Sequence, residues 1–324
     1  MRVLVTGGAG FLGSHLVRRL QGAGLEAVAP RRSQCDLTNQ TEAARLFATV
    51  RPDLVFHLAA EVGGIGANRA NPGRYWYANL AMGMNVLEAS RLAGVGKLVM
   101  VGTICSYPSD TPVPFRETDL WNGFPENTNA PYGVAKRALI TGAQAYRSQY
   151  GLNTVCLLPV NLYGPGDNFH PKASHVIPAL IRRMSDAVAA GAHEVVLWGD
   201  GTPTREFLFV EDCAKALWLA SIRYDSGEPL NIGSGREISI AELAAIIARL
   251  VGFRGRTVWD NSQPNGQRRR RLDVSGARAA IGFESKVDLE EGLGRTVAWY
   301  MATMPARERT ASLTGPAVMG SAGV

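Results

Sequence analysis

The chain has 324 residues, 46% of them hydrophobic and 19% charged, and a formal net charge of +6. This is the composition of an ordinary globular protein with one or two domains. We expect neither a membrane span nor a signal peptide, because there is no run of 18 or more apolar residues and no basic N-terminal stretch. The positive charge owes much to the run Arg268–Arg271, which suits a small anionic ligand better than nucleic acid, whose binding surfaces spread basic residues along a face.

The four cysteines are scattered, with no C-x-x-C motif and no partnering histidine cluster. They are Cys35, Cys105, Cys156 and Cys213. This spacing predicts neither a metal site nor a disulfide framework. A reducing cytoplasm is the expected location.

A glycine-rich turn stands near the start of the chain. Residues 2–6 read as a buried strand, and residues 7–13 (GGAGFLG) lead into an amphipathic helix. Glycines at these spacings allow a tight turn and let a pyrophosphate approach the backbone, while the helix N-terminus favours negative charge. We therefore predict dinucleotide binding, with contacts from Gly7, Gly10, Phe11, Leu12 and Gly13.

The second predicted strand, residues 26–29, ends beside Arg32. An acid at this point would bind the ribose 2′-hydroxyl of NAD, whereas an arginine suits the 2′-phosphate of NADP. The sequence therefore favours NADPH. Asp36 and Leu37 follow in position for the adenine, although Asp36 could equally cap the helix that begins near residue 40.

The third and fourth strands are predicted at residues 54–60 and 97–101, with a long helix over 73–93 between them. Leu58, Ala59 and Ala60 are small enough at the end of strand three for a cofactor to lie against them. His57 lies within an apolar strand and reads as a core histidine. Strand four delivers Thr103 and Cys105 to the carboxyl edge of the sheet, where ligands bind.

Tyr132 and Lys136 lie at the start of a predicted helix and share one face of it, because they are four residues apart. A fixed ammonium lowers the pKa of a nearby phenol from about 10, so the pair could act as an acid and base near neutral pH. Taken alone, the pattern fits equally a packed tyrosine and a solvated lysine. Strand five follows at residues 154–159.

After Pro159 the pattern changes. It becomes turn-rich and then gives helices at about 174–190, 211–222, 238–251 and 287–303, a short strand before Trp198, and a strand at 205–210 that should return to the first domain. We predict an α/β protein with a Rossmann-type, doubly wound parallel sheet and a smaller C-terminal α/β substrate domain. The dinucleotide domain would comprise 1–160 plus about 205–233, and the substrate domain 161–204 and 234–304. The tail, 305–324, is rich in small residues and is expected to be disordered.

Together, the glycine turn, the hydroxyl residue after strand four and Tyr-x-x-x-Lys resemble the extended short-chain dehydrogenase/reductases that act on nucleotide sugars. More narrowly, six segments resemble the GDP-L-fucose synthases, the NADPH-dependent 3,5-epimerase/4-reductases. They are HLAAEVGGI (57–65), TICSYP (103–108), PYGVAK (131–136), NLYGPGDNFHP (161–171), SHVIPALIRR (174–183) and WGDGTPTREFLFVED (198–212).

The resemblance implies a role for each matching residue. Tyr132 would protonate the C4 oxygen beside Thr103, Lys136 would hold the ribose, and Cys105 and His175 would be the epimerisation pair. The implied further cofactor contacts are Pro159, Asn161, Leu162 and His175, and the implied substrate contacts are Asn161, Arg183, Trp198, Arg205 and, in a looser alignment, Arg270. A homodimer through the helices near 73–93 and 132–149 is also implied, with no nucleic-acid or membrane partner.

The chemistry agrees with that assignment. A C4 keto group acidifies the protons on C3 and C5, so inverting those centres needs a base on one face of the ring and an acid on the other. A thiol and an imidazole both titrate close enough to neutrality to serve. Singly, Cys105 could be a small buried hydrophobe and His175 a packing or capping residue.

Three residues depart from the family pattern. Thr103 stands where serine is usual, Ser106 replaces an apolar residue, and Glu61 stands where lysine is common, which leaves the electrostatics near the sugar open. The expected reaction is conversion of GDP-4-keto-6-deoxy-D-mannose to GDP-L-fucose. The alternatives are an epimerase-only or reductase-only enzyme on a related nucleotide sugar, such as a GDP-heptose, or, more remotely, a non-catalytic NADP(H)-sensing protein.

Overall fold

The computed structural model describes residues 1–171, 173–263 and 265–303, so the predicted disordered tail at 305–324 lies outside the described residues. The strands are β1 (Val3–Thr6), β2 (Ala27–Val28), β3 (Leu54–His57), β4 (Lys97–Val101), β5 (Thr154–Pro159), β6 (Asn161–Tyr163), β7 (Glu194–Trp198), β8 (Thr204–Phe209), β9 (Leu230–Ile232), β10 (Glu237–Ser239), β11 (Arg256–Asp260) and β12 (Arg269–Arg270). The helices are α1 (Phe11–Gly22), α2 (Gln40–Val50), α3 (Ile65–Ala70), α4 (Pro72–Leu92), α5 (Ala130–Tyr150), α6 (Val176–Ala189), α7 (Val210–Arg223), α8 (Ile240–Val251), α9 (Ser275–Ile281) and α10 (Leu289–Thr303).

A six-stranded parallel sheet forms the larger unit, in the order β2-β1-β3-β4-β5-β9. Strands β1, β3 and β5 are buried along their whole length, as expected where helices cover both faces of a parallel sheet. Helices α1 and α7 pack together, and so do α4 and α5. The predicted doubly wound Rossmann-type fold is therefore confirmed.

The chain order reverses between β1 and β3, which lie side by side although β2 separates them in sequence. In an open α/β sheet, ligands bind at the carboxyl ends of the strands beside such a reversal, because the loops there leave to opposite faces. The segment after β1 is the glycine turn, and the segment after β3 begins with Leu58. The fold thus places the predicted dinucleotide turn at the expected ligand position.

The smaller unit has its own sheet and core. Strand β8 pairs with β6, β10 and β12, β7 pairs with β11, and α6, α8 and α10 supply a second cluster of buried apolar side chains. We predicted that the strand near 205–210 would return to the first domain, but β8 forms no pair with the six-stranded sheet. Its side chains alternate between the two cores: Leu208 joins the larger core, and Phe207 and Phe209 join the smaller one. The predicted domain boundaries stay a prediction.

Nearby polar side chains define the starts of two helices, and the structure corrects one predicted start and one predicted cap. Helix α8 begins at Ile240 rather than at 238, since Ser239 and Glu242 form reciprocal capping bonds. Helix α2 is capped by Asn39, whose Oδ1 accepts from the amides of Thr41 and Glu42. The suggestion that Asp36 caps this helix was therefore wrong.

Three further facts concern the described residues. All four cysteines are free. No group of histidine, cysteine, aspartate and glutamate within 1–171, 173–263 and 265–303 could hold a metal ion. No helix in those ranges is both long and apolar enough to cross a membrane.

Candidate active site

A cavity of about 880 Å³ opens at the carboxyl edge of the large sheet and extends to the smaller unit. Every predicted catalytic residue lines it: Thr103, Cys105, Tyr132, Lys136 and His175. Every predicted cofactor contact does so as well: Gly7, Gly10, Phe11, Leu12, Gly13, Arg32, Asp36, Leu37, Leu58, Ala59, Ala60, Lys136, Pro159, Asn161, Leu162 and His175. Of the predicted substrate contacts, Asn161, Trp198, Arg205 and Arg270 line it and Arg183 does not. The structure thus brings all three sets of predicted residues, except Arg183, to one cavity.

The glycine turn is shaped by close backbone approaches. Gly7 has φ of +73°, and a Cβ on it would lie 2.7 Å from the amide nitrogen of Ala59. A Cβ on Gly13 would lie 2.1 Å from the carbonyl oxygen of Gly7. Only glycine fits these positions, and the N-terminus of α1, which lines the cavity, favours an anion such as a pyrophosphate. These residues fit a dinucleotide.

A network of four charged side chains lies at the predicted adenine end. Nη1 of Arg32 lies 2.6 Å from Oε1 of Glu61, and Arg74 donates to both oxygens of that carboxylate at 2.7 Å. Asp36 lies 3.8 Å from Arg32 and accepts bonds from Thr38. Glu61 stands where the family often has lysine, which left the electrostatics near the sugar open; in the structure its carboxylate is paired with the two arginines beside the predicted 2′-phosphate position.

His57 is a core residue, as predicted. Its Nδ1 lies 2.8 Å from the hydroxyl of Thr6 on the neighbouring strand, and its side chain is buried. Burial, with a smaller contribution from the charge of Lys136, lowers the pKa of His57 to about 3. The imidazole is therefore neutral and takes no part in proton transfer.

The tyrosine and lysine pair lies buried in the first turns of α5, where Pro131 occupies one of the first helical positions. Nζ of Lys136 donates to the carbonyl of Val101 at 2.9 Å and lies 5.9 Å from the centroid of the Tyr132 ring. Burial raises the pKa of Tyr132 and lowers that of Lys136 to about 8. Our expectation that Lys136 depresses the tyrosine pKa was wrong, because the cost of burying a phenolate outweighs an ammonium that burial itself tends to neutralise.

Thr103 and Cys105 lie on a short 3₁₀ turn over Ile104–Ser106. Oγ1 of Thr103 accepts from the amide of Cys105 at 3.2 Å, and the Thr103 hydroxyl is close enough to the Tyr132 phenol to oppose part of the rise in its pKa. A Cβ on Gly133 would lie 2.4 Å from the carbonyl oxygen of Cys105, so this glycine lets the cysteine turn rest directly on α5. The sequence P-Y-G-x-x-K therefore positions the thiol as well as the phenol.

Ser106 does not face the cavity. It is fully buried, and its hydroxyl donates to the carbonyl of Gly133 at 3.2 Å. Our suggestion that Ser106 changes the electrostatics near the sugar was therefore wrong, since a backbone carbonyl satisfies its polarity away from the site.

Two arginines surround the thiol. Nη1 of Arg270 lies 3.8 Å from Sγ of Cys105, and its Nε donates to Gln267. Arg205 is buried close by, and burial together with the charge of Arg270 lowers its pKa to about 9. Arg269, on the other side of the same strand, instead binds Glu237. The strand alternation thus sends Arg270 alone from the four-arginine run into the cavity.

His175 caps α6 with extended backbone. Its side chain is open to the cavity yet surrounded by protein, and this desolvation lowers its pKa. A neutral imidazole at neutral pH is able to accept a proton.

Arg183 is placed differently from the prediction. Its Nη1 donates to the carbonyl of Val196 at 2.7 Å, and it lines a separate small cavity that shares Val176 and Trp198 with the main one. The guanidinium is thus engaged by the backbone of β7 instead of lining the main cavity. Trp198 lies on the wall between the two cavities.

Several cavity residues escaped the sequence analysis. Glu126 is held by the amide of Thr128 at 3.0 Å and by Nδ2 of Asn129 at 2.8 Å, and all three line the cavity. In the sequence these residues form a polar segment immediately before α5, and such a segment looks like an ordinary turn. Gln263 and Gln267, from the segment before β12, also line the cavity.

Comparisons with known proteins agree with this geometry. The profile of the NAD dependent epimerase/dehydratase family matches residues 3–233. The chain is 44% identical over 302 residues to the probable GDP-L-fucose synthase 1 of Oryza sativa subsp. japonica, covering 93% of this chain and 92% of that protein. It superposes on a GDP-L-fucose synthetase of Naegleria fowleri bound to NADP with a TM-score of 0.86 and 27% identity, covering 93% of this chain and 94% of the other.

A third similarity is to MlghC of Campylobacter jejuni, a GDP-mannoheptose C4 reductase with NADP bound. The TM-score is 0.84 at 30% identity, and 93% of this chain and 98% of the other are covered. The family match and the relative at 44% identity both extend over most of the chain. The chain therefore belongs to the NAD dependent epimerase/dehydratase family and, within it, to the GDP-L-fucose synthases.

Proposed function

We propose that this protein is an NADPH-dependent 3,5-epimerase/4-reductase that converts GDP-4-keto-6-deoxy-D-mannose to GDP-L-fucose. The observation that carries the proposal is that one cavity holds a dinucleotide cradle, a phenol with a lysine, and a thiol with an imidazole. The similarity to the rice protein supports the substrate, and the NADP-bound relatives support the choice of NADP(H) over NAD(H).

The cofactor would be held by this chain's own backbone and side chains. Gly7 and Gly13 leave room that a Cβ would fill, and Arg32 stands where a 2′-phosphate is recognised. Lys136 would bind the nicotinamide ribose. When bound, the cofactor supplies the hydride that reduces C4.

Epimerisation is assigned to Cys105 and His175. One of them removes the acidic proton at C3 or C5, and the other delivers a proton to the opposite face of the resulting enolate. Arg270 and Arg205, beside the sulfur, stabilise the negative charge that the thiol carries once it has lost its proton. His175, whose pKa is lowered, is unprotonated at neutral pH and can act as the base.

Reduction is assigned to Tyr132 as the acid at the C4 oxygen. Because burial raises its pKa, the phenol keeps its proton at neutral pH and can give it to the alkoxide that forms at C4. The Thr103 hydroxyl lies close to the same phenol and lowers its pKa slightly against the larger effect of burial. In this protein the tyrosine therefore works as a proton donor, without needing a pKa near neutrality.

The test is incubation of the purified protein with the 4-keto sugar in deuterated water, with and without NADPH. Deuterium at C3 and C5 without NADPH, followed by reduction when NADPH is added, supports the proposal. Reduction without exchange would favour the second candidate, a reductase that does not epimerise. The similarity to the GDP-mannoheptose C4 reductase supports this candidate. Cofactor binding without either reaction would indicate a sensing protein and refute the enzyme assignment.

We also propose that the protein is a cytoplasmic homodimer. Helices α4 and α5 pack side by side and leave Trp76, Tyr77, Met84 and Tyr150 largely exposed. Covering these apolar side chains with the same helices of a second copy would give a four-helix contact. The four free cysteines suit a reducing compartment.

A further inference from the structure

We infer that Glu61 sets how strongly this enzyme prefers NADPH to NADH, by competing with a 2′-phosphate for Arg32. The inference rests on the proposed function, because it concerns the cofactor of that reaction. It goes further by naming a residue, beyond the arginine at the end of β2, that decides the strictness of the choice.

The first argument is that Arg32 is already paired with a carboxylate. Its side chain is 60% exposed at the rim of the cavity, yet its Nη1 lies 2.6 Å from Oε1 of Glu61 and its Nη2 lies 3.8 Å from Asp36. An arginine that reads a 2′-phosphate does so through a forked pair of donors. In this structure Nη1 of Arg32 already contacts the carboxylate of Glu61, and the carboxylate of Asp36 lies near Nη2.

The second argument is that Glu61 is held rigidly. Its backbone amide donates to Oδ1 of Asn79 at 3.2 Å, and Nδ2 of Asn79 donates to its carbonyl at 2.7 Å. Asn79 is buried on α4. Arg74, from the first turn of the same helix, binds both carboxylate oxygens. Because backbone and side chain are both fixed, the carboxylate cannot readily move away when a phosphate arrives.

The third argument is the charge balance. Arg32 and Arg74 carry two positive charges, and Glu61 and Asp36 carry two negative ones, so the network is neutral. The two arginines lower the pKa of Glu61, which is therefore ionised at all working pH values. A phosphate dianion entering a neutral network gains far less than one meeting an unpaired arginine. A ribose 2′-hydroxyl carries no charge, so the neutrality of the network does not weaken its binding.

The site thus combines features of both cofactor classes. An arginine favours NADP(H), whereas a carboxylate near the ribose is the feature that NAD(H) enzymes use for the 2′-hydroxyl. The expected result is binding of NADP⁺ and NAD⁺ with affinities within about tenfold of each other.

The experiment is calorimetric titration of the full-length protein with NADP⁺ and NAD⁺, and with adenosine 2′,5′-bisphosphate and 5′-AMP, which isolate the 2′-phosphate. Glu61→Gln should strengthen NADP⁺ binding relative to NAD⁺ by about tenfold, because one negative charge is removed beside the phosphate. Arg74→Gln should weaken NADP⁺ binding relative to NAD⁺, because Arg32 is then the single remaining partner of Glu61 in this network and is held more strongly by it. Arg32→Ala should remove the discrimination.

Glu194→Gln is the matched control, since Glu194 pairs with Arg256 in the same chemical manner on β7, outside the cavity. It should leave all four affinities unchanged. The inference is overturned if Glu61→Gln weakens NADP⁺ binding, which would make Glu61 a support for Arg32, or leaves the ratio unchanged. Failure of the unmodified protein to bind either dinucleotide would refute the proposed function itself, and the inference with it.

Discussion

Nη1 of Arg270 lies 3.8 Å from Sγ of Cys105, although 165 residues separate the two in sequence. A guanidinium at this distance stabilises a thiolate and orients the sulfur. We expected Arg270 to contact the substrate, and the structure places it beside the thiol to which we assign epimerisation. The arginine is in turn held by Gln267, which accepts from its Nε.

Replacing Arg270 with glutamine should slow deuterium exchange at C3 and C5. We expect a loss of about tenfold to a hundredfold at saturating substrate, because the sulfur loses a cation that lies 3.8 Å away while the replacement side chain stays polar. Arg270→Lys should recover part of the rate. The measurement is the initial exchange rate, followed by magnetic resonance without NADPH.

Arg269→Gln is the control for this change. Arg269 is the neighbour in the same strand, and its guanidinium binds Glu237 away from the cavity. Its exchange rate should stay within about twofold of that of the unmodified protein. If Arg270→Gln instead raises the KM for the sugar and leaves the exchange rate at saturating substrate unchanged, Arg270 would serve phosphate binding alone.

Tyr132→Phe should abolish reduction and spare epimerisation. Removing the acid should lower the rate of NADPH oxidation by about 10² to 10⁴-fold, the usual contribution of general acid catalysis. Exchange at C3 and C5 should continue, because it depends on other side chains. Tyr146→Phe, on the same helix but bonded to Glu88 at 3.0 Å, is the control and should reduce normally. Loss of exchange in Tyr132→Phe would show that the two reactions share the phenol.

Local sequence patterns predicted much of the fold. Strands β4 and β5 have the expected bounds, and the glycine turn lies where a strand, a tight turn and a helix succeed one another. These features depend on neighbours in the chain, so hydrophobic periodicity and glycine spacing suffice to predict them. Likewise, the carboxyl-edge rule for parallel sheets correctly placed Thr103 and Cys105 in the cavity.

What the sequence could not show are pairings between distant segments and balances between opposing energies. Nothing local indicates that Glu61 binds Arg32, that Arg183 is engaged by Val196, or that β8 divides its side chains between two cores. The pKa of Tyr132 is another case, because spacing revealed the lysine but not how deeply both groups are buried.

The pH dependence of exchange should report His175. Desolvation lowers its pKa from the ordinary value of 6.5, so the midpoint of its protonation lies below pH 6.5. The exchange rate should therefore fall as the pH is lowered, with a midpoint below pH 6.5. His175→Asn should stop exchange, whereas His193→Asn, an exposed histidine, should keep the profile. A midpoint above pH 6.5 would exclude His175 as the base.

The proposed dimer predicts that α4 carries the contact. Trp76→Glu together with Met84→Glu places two charges among side chains that are 44% and 56% exposed in the isolated chain. If a second copy covers them, the buried charges should shift the protein to a monomer, because an unpaired charge in an interface is strongly unfavourable. Light scattering with size-exclusion chromatography measures the mass. Ile222→Glu, an exposed position on α7, should leave it unchanged.

Lys136 should make the stability of the protein depend on pH in a particular direction. Burial lowers its pKa from 10.5 to about 8 in the folded state, whereas the unfolded chain keeps the ordinary value. Above pH 8 the unfolded state therefore binds more protons than the folded state, and the free energy of unfolding rises with pH. Below pH 8 both states are protonated, and the cost of burying the ammonium is present in full.

Lys136→Met removes this group and so supplies the reference. The free energy of unfolding of the unmodified protein, minus that of Lys136→Met, should increase by about 2 kcal/mol between pH 7 and pH 9.5, at about 1.4 kcal/mol per pH unit beyond 8. Urea denaturation at several pH values measures it. A difference that stays constant or falls over this range would mean that Lys136 remains fully charged in the folded protein.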